Sequence, residues 1–158
     1  LVTGLLGGML AAGILGRFDY MLSQVVELVF FIPVMLYMGS AIGNQTQMLF
    51  IRGMAYQKLS IRNYLSRELL VDASIALIIG APLSVYAYFV SQSPIFTLTI
   101  FIAAFIITST SGLIAILVSL AFVKFHKDPA IGGGPFQTTT QDIASLVIYF
   151  VVASLFLL

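Results

Sequence analysis

Long apolar runs separated by short polar segments constrain the fold of this chain more than any other feature. Mostly apolar stretches lie at about 1–16, 21–51, 66–90, 95–123 and 136–158. About 20 apolar residues in a helix cross the hydrocarbon core of a bilayer, and a helix satisfies its own backbone hydrogen bonds there. We therefore predict an all-α, polytopic membrane protein with five transmembrane helices.

The composition agrees with a membrane protein and excludes several kinds of site. Of the 158 residues, 60% are hydrophobic and 8% are charged, whereas soluble domains carry about 25% charged residues. The chain has no cysteine, so it forms neither a disulfide nor a thiolate metal site. It also lacks the sequence motifs of nucleotide loops and zinc hydrolases. We predict that it is not an enzyme, uses no organic cofactor and binds no nucleic acid.

The basic residues of the loops are distributed unevenly. Arg17 lies on one side of the predicted membrane, and six basic residues lie in the second and fourth polar connections on the other side. Those six are Arg52, Lys58, Arg62, Arg67, Lys124 and Lys127. Because basic loops stay in the cytoplasm, we predict a cytoplasmic N-terminus and an external C-terminus.

Asp142 lies inside the fifth apolar stretch, where a charged side chain costs roughly 2.5–3.5 kcal/mol. Measured from Pro135, it lies about 10 Å into the predicted helix. Thr138, Ser145 and Tyr149 lie at helical spacing from it and predict a polar stripe. Asp142 can be a structural contact between helices, a proton relay, or a cation ligand in a water-filled path. Apart from Arg67 at the edge of the third predicted span, no basic residue lies within a predicted span, which weakens the structural ion pair.

A second group of oxygen-bearing residues lies near the cytoplasmic end of the second predicted helix. Gly43, Asn44 and Gln45 supply amide and backbone oxygens there. Oxygen ligands suit hard cations such as Mg²⁺ and Ca²⁺. The same polarity is also typical of a helix end at the membrane surface, so both interpretations stand.

Three other carboxylates are open to two interpretations. Glu68 and Asp72 lie one helical turn apart and can hold a cation, or they can form ion pairs with Arg62 and Arg67. Asp128, in the loop before the fifth helix, is similarly ambiguous.

Small residues recur every four positions in the first predicted helix, at Gly4, Gly8, Ala12 and Gly16. They lie on one face and allow another helix to approach closely. We expect this face to serve helix packing.

Two stretches resemble signatures of the MgtE family of magnesium channels and transporters. FIPVMLYMGSAIGNQTQMLFIRGMA (31–55) resembles the family's second-helix signature, and DPAIGGGPFQTTTQDIASLVIYF (128–150) resembles its fifth-helix signature. LAAGILGRFDYML (10–22) is similar to the end of the family's first helix. The resemblance covers essentially the whole chain.

The resemblance implies a five-helix membrane domain that works as a homodimer in the plasma (inner) membrane of a prokaryote. It implies an ion path along the two-fold axis, lined by the second and fifth helices, that carries largely hydrated Mg²⁺. The family's pore aspartate falls on Asp142, and a backbone carbonyl ligand falls on Thr138. The family's cytoplasmic regulatory domains have no counterpart in residues 1–158, which we expect to be a single transmembrane domain. This domain is either a piece of a longer protein or a lineage that consists of the membrane domain alone.

This sequence departs from the family pattern at several positions. The family's Asn falls on Ala41, Asn44 stands where the family varies, and Gly134 stands where some members have Asn. Asp72 stands where a small residue is expected and can add a cation contact. We count Ala41, Gly134, Asp72 and Asp128 as secondary candidates for the metal site.

Together these features predict transport of Mg²⁺ or a related divalent cation through a homodimer, with Asp142 as the main acidic ligand. One alternative is a proton-coupled carrier in which Asp142 titrates. Another is a membrane module that does not transport and dimerises through the face formed by Gly4, Gly8, Ala12 and Gly16.

Overall fold

The structure of the protein is a computed structural model that describes residues 2–56 and 60–158, and the backbone alone at 131 and 132. Most of this part is helical, which confirms the all-α prediction. The helices are α1 (Val2–Arg17), α2 (Asp19–Gln24), α3 (Leu28–Tyr56), α4 (Ile61–Ser91), α5 (Pro94–Lys124) and α6 (Pro129–Leu157).

Four of these helices are long and apolar enough to cross a membrane. They are α3, α4, α5 and the Gly133–Leu157 part of α6. Helix α1 is apolar but has 16 residues, fewer than the roughly 20 that a simple span needs. In the part of the chain that the structure describes, four candidate spans and one shorter apolar helix therefore stand where the sequence predicts five spans.

The second predicted helix, over 21–51, is divided in the structure. Helix α2 ends at Gln24, and α3 begins at Leu28 and runs through Pro33 to residue 56. At the break, the Val25 backbone N–H donates to the Met21 carbonyl at 2.9 Å. The break covers Val25, Val26 and Glu27. Valine is β-branched and has low helix propensity, and one charged residue in a mostly apolar run does not reveal the break in the hydropathy pattern.

Helix α6 begins at residue 129, whereas the sequence predicts a start at 136. The Asp128 side chain accepts a hydrogen bond from the Ala130 backbone N–H at 2.8 Å, and Pro129 occupies the first turn. Pro135, expected in the first turn, lies inside the helix. Asp142 consequently lies about 20 Å from the start of α6, near its middle, and not about 10 Å from it.

Helix α5 is central: it packs against α3, α4 and α6, and α6 also packs against α1 and α3. Rings of α3 and α4 meet in antiparallel order, Phe31 with Tyr86 and Phe50 with Tyr64. Helices α1 and α6 are parallel, and Phe18 stacks on Phe150 with ring centroids 4.5 Å apart.

The antiparallel order of the long helices places the basic residues at two ends of the bundle. One end holds most of the described basic residues, and Arg17 lies at the end of α1. Lys58, which counts towards the predicted orientation, lies outside the described residues. The described basic residues at the first end are Arg52, Arg62, Arg67, Lys124 and Lys127.

Candidate functional site

Asp142 lines a cleft between α6 and α1 with a volume of about 770 Å³. Thr138 and Thr139 line the same cleft from α6, and Leu36 lines it from α3. The α1 wall includes the small residues Gly4, Gly7, Gly8 and Ala11. Thr3 also lines the cleft from α1, so the cleft combines one carboxylate and three threonine side chains with a wall of small residues.

Gly7 is the residue that allows α1 to lie close to α6. A Cβ atom at this position would overlap the side chain of Thr139. In contrast, a Cβ atom at Gly4, Gly8 or Gly16 would meet no atom of the described residues within 4 Å. The predicted face of small residues on α1 is thus exposed in the single chain, and packing within the chain uses Gly7.

The carboxylate of Asp142 is held by a residue of α3. The Ser40 hydroxyl donates a hydrogen bond to Asp142 Oδ1 at 2.5 Å, and both side chains are partly buried. Hydrogen bonds to a charged oxygen are short and strong. Ser40 lies within the stretch 31–55 that resembles the family's second-helix signature, but its residue type and spacing did not identify it as a site residue.

A second contact lies one turn away on both helices. The Thr138 hydroxyl donates to Asn44 Oδ1 at 3.4 Å. Ser40 and Asn44 are four residues apart on α3, as are Thr138 and Asp142 on α6, and residues at this spacing share a helix face. The structure thus brings together three of the predicted site residues, Asp142, Thr138 and Asn44.

The other predicted residues of the second-helix signature, and Gly134 of the fifth-helix signature, lie outside the cleft. Ala41 and Gln45 are exposed on α3, and Gly43 is buried. Gly134 lies in a separate groove of about 440 Å³ near the start of α6, together with Gln47. These positions do not line the cleft that contains Asp142.

Asp72 and Glu68 lie between other helices. Asp72 is buried and accepts a hydrogen bond from the Gly112 backbone N–H of α5 at 2.9 Å. Glu68 accepts one from the Thr46 hydroxyl of α3 at 2.6 Å. Each carboxylate therefore has a neutral donor, while Asp128 caps α6 at its exposed N-terminus.

The predicted polar stripe on α6 divides between two environments. Thr138 and Asp142 face the cleft, whereas Ser145 and Tyr149 are fully buried. The Tyr149 hydroxyl donates to the Leu28 carbonyl at 2.8 Å, because α3 covers α6 at that level.

Among residues 2–56 and 60–158, no three His, Cys, Asp or Glu side chains come close enough to hold a metal ion together. Asp142 is therefore a single acidic group in its cleft. Mg²⁺ is commonly held by one or two carboxylates and keeps several of its waters. A lone carboxylate in a roomy cleft suits such a hydrated ion better than a dehydrated one.

Comparisons with known proteins agree with these features. The model of the MgtE family, described as divalent cation transporter, matches residues 32–152. The chain is 30% identical over 160 residues to the magnesium transporter MgtE of Thermus thermophilus, an alignment that covers 99% of this chain and 35% of the relative. It is 30% identical over 158 residues to the magnesium transporter MgtE of Bacillus subtilis, covering 95% of this chain and 34% of the relative. The chain thus spans about a third of the length of these curated relatives.

Proposed function

Because the chain belongs to the MgtE family of divalent cation transporters, we propose that it transports Mg²⁺ across a membrane and that Asp142 is the main acidic ligand of the ion path. Members of this family are transporters, which confirms the prediction that the chain is not an enzyme. The apolar helices agree with a multi-pass membrane protein. Mg²⁺ here is the transported ion.

The environment of Asp142 carries this proposal. The carboxylate lies near the middle of a membrane-spanning helix, where its burial is costly, and its hydrogen-bond donor is the neutral hydroxyl of Ser40. A hydrated cation in the cleft offsets that cost. Six waters occupy roughly 180 Å³ at about 30 Å³ each, which is well within the cleft volume of about 770 Å³.

The proposal includes a homodimer with the ion path on its two-fold axis. A C2 dimer is the commonest closed assembly, and two copies of Asp142 supply two negative charges to one dication. The exposed small residues Gly4 and Gly8 border the cleft, which supports close approach of a second chain at this place. Ala41 and Gln45 are exposed one turn apart on α3, which supports a path lined by α3 as well as α6.

We propose five membrane-crossing segments, with α1 joining the four long helices in one transmembrane domain. Support comes from the parallel packing of α1 along α6, from Gly7 at Thr139 to Phe18 at Phe150. The basic end of the bundle faces the cytoplasm of a prokaryotic cell and the C-terminus lies outside the plasma membrane. Gly134 then lies near the cytoplasmic mouth of the path.

The test is Mg²⁺ uptake into proteoliposomes that contain the native protein or the Asp142→Asn variant. Asp19→Asn is the matched control, because Asp19 is an exposed carboxylate outside the cleft. Loss of an ion contact worth about 1.4 kcal/mol or more lowers uptake about tenfold or more. We expect this loss in Asp142→Asn alone, with folding and dimerisation unchanged in all three proteins.

The other outcomes separate the alternatives. Uptake that follows an imposed pH gradient, and not the membrane potential, indicates a proton-coupled carrier. Equal uptake by the native protein and Asp142→Asn makes Asp142 a structural residue and refutes the site. A folded, dimeric native protein without uptake indicates a module that dimerises through its exposed small residues and does not transport.

A further inference from the structure

Helices α3 and α6 carry matched rows of glycine and glutamine. Each glycine faces a glutamine of the other helix, and successive members of each row are four residues apart. The three facing pairs are Gly39 with Gln141, Gly43 with Gln137, and Gln47 with Gly133.

A side chain at any of these three glycines would require the facing glutamine amide to move, and at Gly39 it would also require Ser145 Oγ, 2.6 Å away, to move. A Cβ atom at Gly39 would lie 2.9 Å from Gln141 Nε2, and one at Gly133 would lie 2.8 Å from Gln47 Nε2. A Cβ atom at Gly43 would overlap the Gln137 amide. Each step of four residues forward on α3 is matched by four residues backward on α6, so the three contacts share one antiparallel register.

The glutamines are buried in this interface although burial of an amide is costly. Gln137 and Gln141 are fully buried, and Gln47 is 4% exposed. Gln141 Nε2 donates to the hydroxyls of Ser111 and Ser145, both at 3.2 Å. Within the described part of the chain, neither polar atom of the Gln137 amide has a hydrogen-bond partner, and neither does Gln141 Oε1, so no hydrogen bond among the described residues holds Gln137 over Gly43.

This row is directly adjacent in sequence to the polar contacts of the candidate site. Gly39 and Gln141 precede Ser40 and Asp142, which are joined at 2.5 Å. In the same way, Gly43 and Gln137 precede Asn44 and Thr138, which are joined at 3.4 Å. The same register between α3 and α6 therefore fixes the glycine–glutamine row and the two polar contacts of the candidate site. A slip of a single residue moves one helix by about 1.5 Å along the other, enough to break the Ser40 contact.

We propose that the glycine–glutamine row is a positioning element that sets the height of the Asp142 carboxylate against α3, and thereby the ion site. Gln137, Gln141 and Gln47 are positioning residues in this proposal and do not touch the ion. The effect on transport rests on the proposed function, whereas the effect on helix register does not.

The experiment replaces Gly43 by alanine. In a second variant, Gly43→Ala/Gln137→Ala, the shortened side chain at position 137 leaves room for the added methyl group. Gly13→Ala is the control, since a Cβ atom there meets nothing within 4 Å in the described structure. The register is measured as the rate of oxidative cross-linking of Asn44→Cys with Thr138→Cys. Because the chain has no cysteine of its own, this pair is the only one that can react within a chain. Mg²⁺ and Ca²⁺ uptake into proteoliposomes is measured in the same backgrounds without the cysteines.

We expect Gly43→Ala to slow cross-linking about tenfold, the range of overpacking effects, and the double variant to recover most of the native rate. Mg²⁺ uptake follows the same order, and the ratio of Mg²⁺ to Ca²⁺ uptake changes in Gly43→Ala, which simple loss of folded protein does not produce. If Gly43→Ala cross-links and takes up Mg²⁺ at the native rates, the inference is overturned. Failure of the double variant to recover either readout also overturns it. If cross-linking follows the expected order but the native protein takes up no ion, the positioning element stands and the proposed function fails.

Discussion

The Ser40 hydroxyl of α3 lies 2.5 Å from Asp142 Oδ1 of α6, although the two residues are 102 positions apart in the chain. This contact joins the two helices at the carboxylate that, among the described residues, lines the cleft. A hydroxyl that donates to a carboxylate fixes its direction and leaves the second oxygen, Oδ2, for another partner. In the proposed site that partner is a Mg²⁺ ion or one of its waters.

The first prediction concerns removal of this hydroxyl. In Ser40→Ala the carboxylate loses a hydrogen bond of the charged type, worth about 1.5–3 kcal/mol, and gains rotational freedom. We expect the half-saturating Mg²⁺ concentration for uptake to rise about tenfold, with the maximal rate less affected. Concentration series of uptake in proteoliposomes measure both quantities.

Ser40→Thr is the matched control, because it keeps the hydroxyl and adds one methyl group. Its half-saturating concentration is expected to remain near that of the native protein. An unchanged half-saturating Mg²⁺ concentration in Ser40→Ala contradicts the prediction, and a lower one shows that Ser40 competes with the ion for the carboxylate.

The long helices could be predicted from the sequence because hydrophobic length determines them. Helix α5, predicted over 95–123, is observed at Pro94–Lys124, and α4, predicted over 66–90, is observed at Ile61–Ser91. The errors lie where polar or glycine residues continue a helix: the first turn of α4 contains Arg62 and Asn63, and the first two turns of α6 contain three consecutive glycines, 132–134. The break after Gln24 is the opposite case, in which a mostly apolar run leaves the helical conformation at residues 25–27.

The candidate site could be predicted only in part, since a sequence gives spacing along a helix but not the register between helices. Asp142, Thr138 and Asn44 were identified from residue chemistry and family resemblance, and the structure places them together. Ser40 and Gln137 were missed because their partners lie on the other helix. The spacing of four between Gln137 and Gln141 was the available signal.

The second prediction separates the two interpretations of Asp72. Its carboxylate accepts the Gly112 N–H at 2.9 Å in the buried contact between α4 and α5. We expect Asp72→Ala to lower the free energy of unfolding by about 1–3 kcal/mol, because a buried donor loses its acceptor. The half-saturating Mg²⁺ concentration is expected to stay native. Thermal unfolding in detergent and uptake assays measure the two effects.

Asp72→Asn provides the comparison, since an amide oxygen still accepts from the Gly112 N–H. It is expected to be more stable than Asp72→Ala. A large rise in half-saturating Mg²⁺ concentration in both variants, with little change in unfolding, would instead identify Asp72 as a cation ligand.

The third prediction concerns Asp128, which caps α6 through its contact with the Ala130 N–H at 2.8 Å. Loss of an N-cap costs about 0.5–2 kcal/mol, so Asp128→Ala is expected to destabilise the protein by this amount. Asp128→Asn keeps a capping oxygen and removes the charge, and is expected to retain both stability and uptake. If Asp128→Asn loses uptake as strongly as Asp128→Ala, the charge itself contributes to the ion path.

The fourth prediction tests whether Gln137 acts through its shape or through its amide. The side chain is fully buried over Gly43, and in the described structure both of its polar atoms lack hydrogen-bond partners. An unsatisfied buried polar group costs about 1–3 kcal/mol, and methionine fills a similar volume without it. We therefore expect Gln137→Met to unfold at the same or a higher temperature and to keep native Mg²⁺ uptake.

Gln137→Ala is the control for volume, because removal of a large buried side chain leaves a cavity that costs about 2–5 kcal/mol. It is expected to be less stable than Gln137→Met and to slow the cross-linking of Asn44→Cys with Thr138→Cys, because Gly43 leaves the cavity empty, whereas Gly43→Ala/Gln137→Ala fills part of it. The informative opposite result is a Gln137→Met protein that folds and cross-links like the native one but loses uptake. In that case the amide binds a water or the ion itself, and Gln137 belongs to the ion path and not to the packing that positions it.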